Sequence, residues 1–87
     1  MHKLFGEILI EKGKINEEQL NQALQLQKDN PERKIGEILV TLNYITFTDI
    51  KETLKVQYKL NGKMPPDIEE WLTQEEIDKL LKEIKNE

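Results

Sequence analysis

Residues 4–10 of the chain read LFGEILI, and residues 34–40, thirty positions later, read KIGEILV. The correspondence continues to a glutamine that closes each of two aligned segments, 4–27 and 34–57. Low complexity does not explain these matches, because glycines and glutamines recur at matching places. A period of roughly 20 to 50 residues is typical of stacked supersecondary units. The sequence therefore predicts a tandem repeat whose two copies share an ancestor.

Each copy is expected to form a helix, a tight turn and a second helix. Apolar residues recur at the i, i+3, i+4 spacing of a helix face that packs against a core. In the first helices these residues are Phe5, Ile8, Leu9, Ile35, Ile38 and Leu39. In the second helices the faces expected to be buried contain Leu20, Ala23, Leu24, Gln27, Ile50, Thr53, Leu54 and Gln57.

Helix boundaries are marked by residues with specific backbone preferences. Gly13 and Asn43 occupy matching positions and are the residue types that best accept positive φ, so each is expected to end a first helix. A small polar residue followed three positions later by an acid or an amide forms a capping box, which starts a helix. This pattern occurs at Asn16/Gln19, Thr46/Asp49 and Thr73/Glu76.

The tail, residues 64–87, is expected to belong to the same domain, because 87 residues cannot bury two independent cores. Pro65 and Pro66 form an extended spacer, and Asp67 is expected to cap a short turn. Trp71 is expected to dock the tail on the core. No segment alternates with period two. We therefore expect an all-α fold with four repeat helices in residues 1–63, followed by a turn and an amphipathic C-terminal helix.

Composition and charge exclude several classes of protein. The net charge of −4 argues against DNA or RNA binding, although residues 31–64 hold six basic residues against four acids. Cysteine is absent, so disulfides and thiolate metal sites are excluded and a cytoplasmic location is expected. No apolar run approaches the roughly 20 residues that span a bilayer, so membrane insertion is not expected.

The sequence offers little catalytic chemistry. His2 is the one histidine, and adjacent carboxylates fall at helix starts, where they complement the helix dipole. No P-loop, nucleophile elbow or metal-ligand spacing occurs. We therefore expect no enzymatic activity, no cofactor and no metal.

Gly6 and Gly36 stand at matching places in the first turn of each first helix, where glycine costs up to about 1 kcal/mol relative to alanine. Glycine at both positions indicates close approach of another group. Packing against a helix, a helix start, and backbone contact with a phosphate or flat base all fit, and packing is favoured. Gln27 and Gln57 are boundary residues of the apolar faces, or hydrogen-bond donors to one shared ligand.

The repeat resembles the MshEN-type N-terminal domain of type II secretion and type IV pilus assembly ATPases. The family motif, R-L-G-x-x-L-x-x-x-G followed after six residues by L-x-x-x-L-x-x-Q, is matched twice within residues 4–57. Leu4 and Lys34 replace the motif arginine, and Asn43 replaces the second glycine of the second copy. Lysine stacks on a guanine poorly and leucine cannot hydrogen-bond it.

This resemblance implies a regulatory module that docks on secretion or pilus machinery, either an inner-membrane platform protein or a motor ATPase. Its location would be cytoplasmic, with peripheral association at the inner membrane through that partner. The alternative that the resemblance implies is a sensor of cyclic di-GMP. The ligand contacts would then be Leu4, Phe5, Gly6, Leu9, Gln27, Arg33, Lys34, Ile35, Gly36, Leu39 and Gln57.

Overall fold

The chain folds into α-helices joined by short turns. The computed structural model describes residues 3–86, so His2 lies outside the described range. The helices are α1 Phe5–Glu11, α2 Glu17–Asp29, α3 Ile35–Thr41, α4 Phe47–Asn61, α5 Ile68–Trp71 and α6 Gln74–Lys85. No strand occurs between residues 3 and 86, and the predicted all-α class is confirmed. The starts of α3 and α4 follow those of α1 and α2 by thirty residues each.

The three predicted capping boxes are present and start the three longer helices. In each box the side chain of the cap accepts a hydrogen bond from the backbone of the third helical residue. The donor–acceptor distances are 2.8 Å for Gln19 N to Asn16 Oδ1, 3.1 Å for Asp49 N to Thr46 Oγ1 and 3.2 Å for Glu76 N to Thr73 Oγ1. These caps satisfy backbone N–H groups that a helix start leaves without a partner inside the helix.

The turns inside the two helix pairs also follow the prediction. Gly13 has φ +72° and Asn43 has φ +64°, both in the left-handed region. Lys14 N then bonds Leu9 O, and Tyr44 N bonds Leu39 O, so the two turns close on equivalent carbonyls. The backbone folds back at the same position of each pair because each position carries a residue that tolerates positive φ.

One hydrophobic cluster contains residues from both helix pairs and from the tail. It comprises Phe5, Ile8, Leu9, Ile15, Ala23, Ile35, Ile38, Leu39, Ile45, Ile50, Leu54, Ile68, Trp71, Leu72, Ile77, Leu80 and Ile84. Leu24 was expected in this core and is not part of it, since 36% of its surface stays exposed. Its counterpart Leu54, thirty residues later, is 0% exposed.

The tail accounts for the different exposure of these two leucines. Helix α6 packs against α4, and Glu83 of α6 forms ion pairs with Lys51 and Lys55, the residues that follow Ile50 and Leu54. Helix α2 packs on α3 instead, and this packing leaves Leu24 partly exposed. The described helices include none that is long and apolar enough to cross a membrane.

Candidate functional site

The two repeated glycines converge on one residue of the tail, Trp71: Gly6 faces its side chain and Gly36 faces its backbone. Trp71, 1% exposed, lies where the first turns of α1 and α3 meet α5. Its ring packs edge-on against Phe5, with ring centroids 5.0 Å apart and an interplanar angle of 82°. Edge-to-face pairs of this kind add to the stabilisation that burial alone provides. We call Gly6, Gly36 and Trp71 the glycine junction.

The two glycines of the junction are not equally constrained. A Cβ on Gly36 would lie 2.8 Å from the backbone oxygen of Trp71, a separation that real Cβ atoms essentially never show. A Cβ on Gly6 would lie 2.8 Å from Leu20 Cδ2, which is the end of a flexible side chain, and 3.4 Å from the Trp71 ring. Gly36 is therefore required by close approach of a backbone, whereas Gly6 faces a group that can move.

Two polar contacts hold the tail segment across the junction. Asp67 Oδ1 accepts a hydrogen bond of 2.9 Å from Phe5 N, and Asp67 Oδ2 accepts one of 3.1 Å from Trp71 Nε1. Lys34 Nζ donates a hydrogen bond of 2.7 Å to the backbone oxygen of Glu69. The bonds from Phe5 and Lys34 join the starts of α1 and α3 to Asp67 and to α5, and the bond from Trp71 to Asp67 lies within the tail.

The expectation that Asp67 caps its own turn is wrong. Its side chain makes no capping bond to α5 and instead receives the first N–H of α1, 62 residues earlier. That N–H has no partner inside its helix, and the preceding residue, Leu4, has no side-chain acceptor. A carboxylate at this position also complements the positive end of the helix dipole.

Most of the residues that the family resemblance nominates as ligand contacts are buried. Phe5, Leu9, Ile35 and Leu39 belong to the hydrophobic cluster, and both glycines are covered by α5. Leu4 is the exception among the apolar members, with 47% of its surface exposed, and the polar members are only partly buried. The structure thus brings the two copies of the motif together, and the element that it places against both glycines is the chain's own tail.

The polar residues among these expected ligand contacts form hydrogen bonds within the chain. Gln27 Nε2 donates to the backbone oxygen of Arg33 at 3.2 Å, which ties the end of α2 to the start of α3. The Arg33 guanidinium bonds Glu37 Oε1 at 3.1 Å and Thr41 Oγ1 at 3.2 Å. Gln57 takes no part in these contacts, and its Oε1 accepts a bond of 3.2 Å from Asn61.

An open groove of about 660 Å³ lies beside Gln57 and was not predicted from the sequence. We call it the lysine groove; its polar lining is Lys3, Glu11, Lys12, Gln57, Asn61 and Lys63. Its apolar lining is Ile8, Met64 and the two prolines of the spacer. No local pattern signals the groove, because α1, the end of α4 and the spacer meet only in the folded chain. A smaller recess of about 230 Å³ lies between α4 and α6, beside Phe47.

Among the described acids, Asp49 has a pKa that departs clearly from its ordinary value of 3.8. Hydrogen bonds from the side chain and then the backbone N–H of Thr46 lower this pKa, with a further contribution from Lys14, whose Nζ lies 3.7 Å from Asp49 Oδ1. The shift follows from the capping box and needs no catalytic role. Between residues 3 and 86 no group of three histidines, aspartates or glutamates is placed to hold a metal ion.

No family model, curated protein or solved structure matches this chain.

Proposed function

We propose that the chain is a non-catalytic docking module of the kind found at the N-terminus of secretion and pilus assembly ATPases. Its partner would be an inner-membrane platform protein or a motor ATPase, reached from the cytoplasm. The resemblance of residues 4–57 to that family motivates the class of partner. The observation that carries the docking role is the uncovered face of α2.

This face of α2 is more exposed than the equivalent face of α4. Leu24 and Leu54 occupy equivalent positions in the two helix pairs, yet they are 36% and 0% exposed. Helix α6 packs on α4, whereas α2 packs on α3 in a way that leaves Leu24 partly exposed. An amphipathic helix seated on α2 would complete the apolar face there, as α6 completes that of α4.

The chain's own tail occupies the glycine junction, which also supports docking. Contacts that the family resemblance assigns to a ligand are made here by Trp71, Asp67 and Glu69. The backbone surface that a nucleotide would approach is therefore already in contact with protein. A docking role needs no rearrangement of this junction.

The test is capture of partners from the native host with the intact chain as bait. Leu24→Asp removes the apolar face, and Leu26→Asp is the matched control, because Leu26 is also 36% exposed. Two helical positions that are two residues apart point in nearly opposite directions. We expect a platform protein or motor ATPase to be recovered with the wild type and with Leu26→Asp, and to be lost with Leu24→Asp. Recovery of chaperones alone would contradict the proposal.

The second candidate function is cyclic di-GMP sensing. The observation that favours it is the convergence of Gly6 and Gly36 on a single element, since a two-fold ligand would meet the same pair of helix starts. Binding would require displacement of the segment that carries Trp71 and loss of the bond from Lys34 to Glu69. Calorimetry of the intact chain with cyclic di-GMP should then give saturable heat that weakens in Lys34→Ala and not in Lys28→Ala. Flat heats at high micromolar ligand would exclude this candidate.

A further inference from the structure

The lysine groove has the composition of a binding site and takes no part in the docking face on α2. Its volume of about 660 Å³ is large for an 87-residue chain. Grooves and clefts of roughly 300 to 1,000 Å³ are the usual size of binding pockets. Two separate segments, residues 3–12 and 57–66, contribute its walls, so the groove exists only in the folded domain.

The groove carries positive charge on a chain whose net charge is −4. Lys3 is ion-paired with Glu11, so these two groups compensate each other. The side-chain ammonium groups of Lys12 and Lys63 form no ion pair or hydrogen bond with residues 3–86. Two uncompensated ammonium groups on opposite segments attract a ligand that carries at least two negative charges.

The side-chain amide of Gln57, in the groove, keeps N–H donors that form no hydrogen bond within residues 3–86, whereas the equivalent amide of Gln27 donates one. Gln27 Nε2 donates to a backbone oxygen of its own chain, at 3.2 Å. Gln57 accepts a bond from Asn61 through Oε1, and its Nε2 donates to no acceptor among residues 3–86. Both N–H donors of Gln57 are therefore available to an acceptor such as a peptide carbonyl.

The apolar part of the lining decides between classes of anionic ligand. It consists of Ile8, Met64, Pro65 and Pro66, and no aromatic ring from residues 3–86 lines the groove. Nucleotide bases are commonly held by stacking on aromatic rings or arginine planes, and neither is present in this lining. Aliphatic side chains and proline rings instead suit aliphatic side chains of a peptide. The groove is also open, which suits an extended segment better than a small molecule that must be largely enclosed.

We propose that the lysine groove binds an acidic peptide segment of a partner protein. Carboxylates of the segment lie at Lys12 and Lys63, a backbone carbonyl accepts from Gln57, and an aliphatic side chain packs against Met64 and the prolines. The site is separate from Leu24 and α2, so its failure would leave the docking proposal intact, and the reverse also holds.

The test uses two synthetic peptides and the full chain labelled with ¹⁵N for NMR. The acidic probe is acetyl-Glu-Leu-Asp-Glu-Leu-Asp-amide, and the neutral probe replaces each acid by its amide. We expect saturable amide shifts confined to the ends of α1 and α4 and to the spacer with the acidic probe only. Added salt should weaken the binding, because exposed charges are screened.

Variants assign the binding to the groove. The double variant Lys12→Gln/Lys63→Gln should raise Kd for the acidic probe about tenfold, since each exposed charge pair contributes modestly. Lys28→Gln/Lys82→Gln removes two exposed lysines of α2 and α6 and should leave Kd unchanged within about twofold. Equal binding of the two probes, shifts centred elsewhere or an unaltered Kd in the first variant would overturn the proposal. Binding of adenosine monophosphate at the same residues without binding of the acidic probe would overturn the assignment of a peptide.

Discussion

Replacement of Gly36 by alanine should destabilise the domain, whereas the same change at Gly6 should not. The added Cβ at position 36 would lie 2.8 Å from the Trp71 backbone oxygen. That oxygen belongs to a segment tied down by Asp67 and by the bond from Lys34 to Glu69, so it cannot easily retreat. Overpacking of a close-packed site costs about 1–3 kcal/mol, while alanine regains about 0.5–1 kcal/mol of helix propensity. The central values of these ranges give an expected net loss of about 1 kcal/mol.

At position 6 the cost of the close contact and the gain in helix propensity nearly cancel. The nearest atom is Leu20 Cδ2, at 2.8 Å from the added Cβ, and it ends a half-buried side chain. A shift of that side chain away from its preferred rotamer costs about 0.5–1.5 kcal/mol, which the gain in helix propensity offsets. We therefore expect Gly6→Ala to stay within about 0.5 kcal/mol of the wild type.

Urea and thermal unfolding followed by circular dichroism measure both changes. For a domain of this size, a loss of 1 kcal/mol lowers Tm by about 4–8 °C. A Gly36→Ala variant as stable as the wild type would refute close packing as the reason for this glycine. Equal losses at both positions would refute the distinction between a fixed backbone neighbour and a movable side chain.

Three further predictions test the polar and conformational features. Asp67→Ala should lower the free energy of unfolding, measured in urea, by about 1–3 kcal/mol, because two hydrogen bonds lose their acceptor. Glu70→Ala, at an exposed acid of α5, should change it little. Equal effects of the two changes would contradict the role of Asp67. Asn43→Gly should preserve or raise stability, whereas Asn43→Ala should lower it by about 1 kcal/mol, since φ is +64°; a neutral alanine would contradict strain at that turn. Asp49 has a pKa below 3.8 in the folded chain, so its contribution to stability is present above that pH and lost as pH falls through the folded pKa; an NMR titration should show the pKa rising in Thr46→Ala.

Local patterns were sufficient to predict the helices and their ends. Capping boxes and positive-φ residues act within a few positions of the chain, so Asn16, Thr46 and Thr73 could be assigned as caps before any contact was known. The spacing of apolar residues also identified which helix faces turn inward. These signals depend on near neighbours, which the sequence contains directly.

Features that depend on distant segments were not predicted correctly. The apolar spacing placed Leu24 on an inward face, but it carries no information on whether another helix arrives to cover that face. Asp67 looked like a local cap because its partner, Phe5, lies 62 residues away. The lysine groove was missed for the same reason, as its walls come from separate segments. The two glycines were recognised as points of close approach, but the approaching group, Trp71, could be identified only in the folded chain.

The bond between Asp67 and the start of α1 has a consequence for synthesis on the ribosome. Helix α1 has seven residues, and a helix that short is marginal without tertiary support. Its first N–H gains a partner only when residue 67 has been made and released from the exit tunnel. Helix α1 is translated before residue 67, so this hydrogen bond forms late in synthesis, and termination of translation before residue 67 would leave the start of α1 without it.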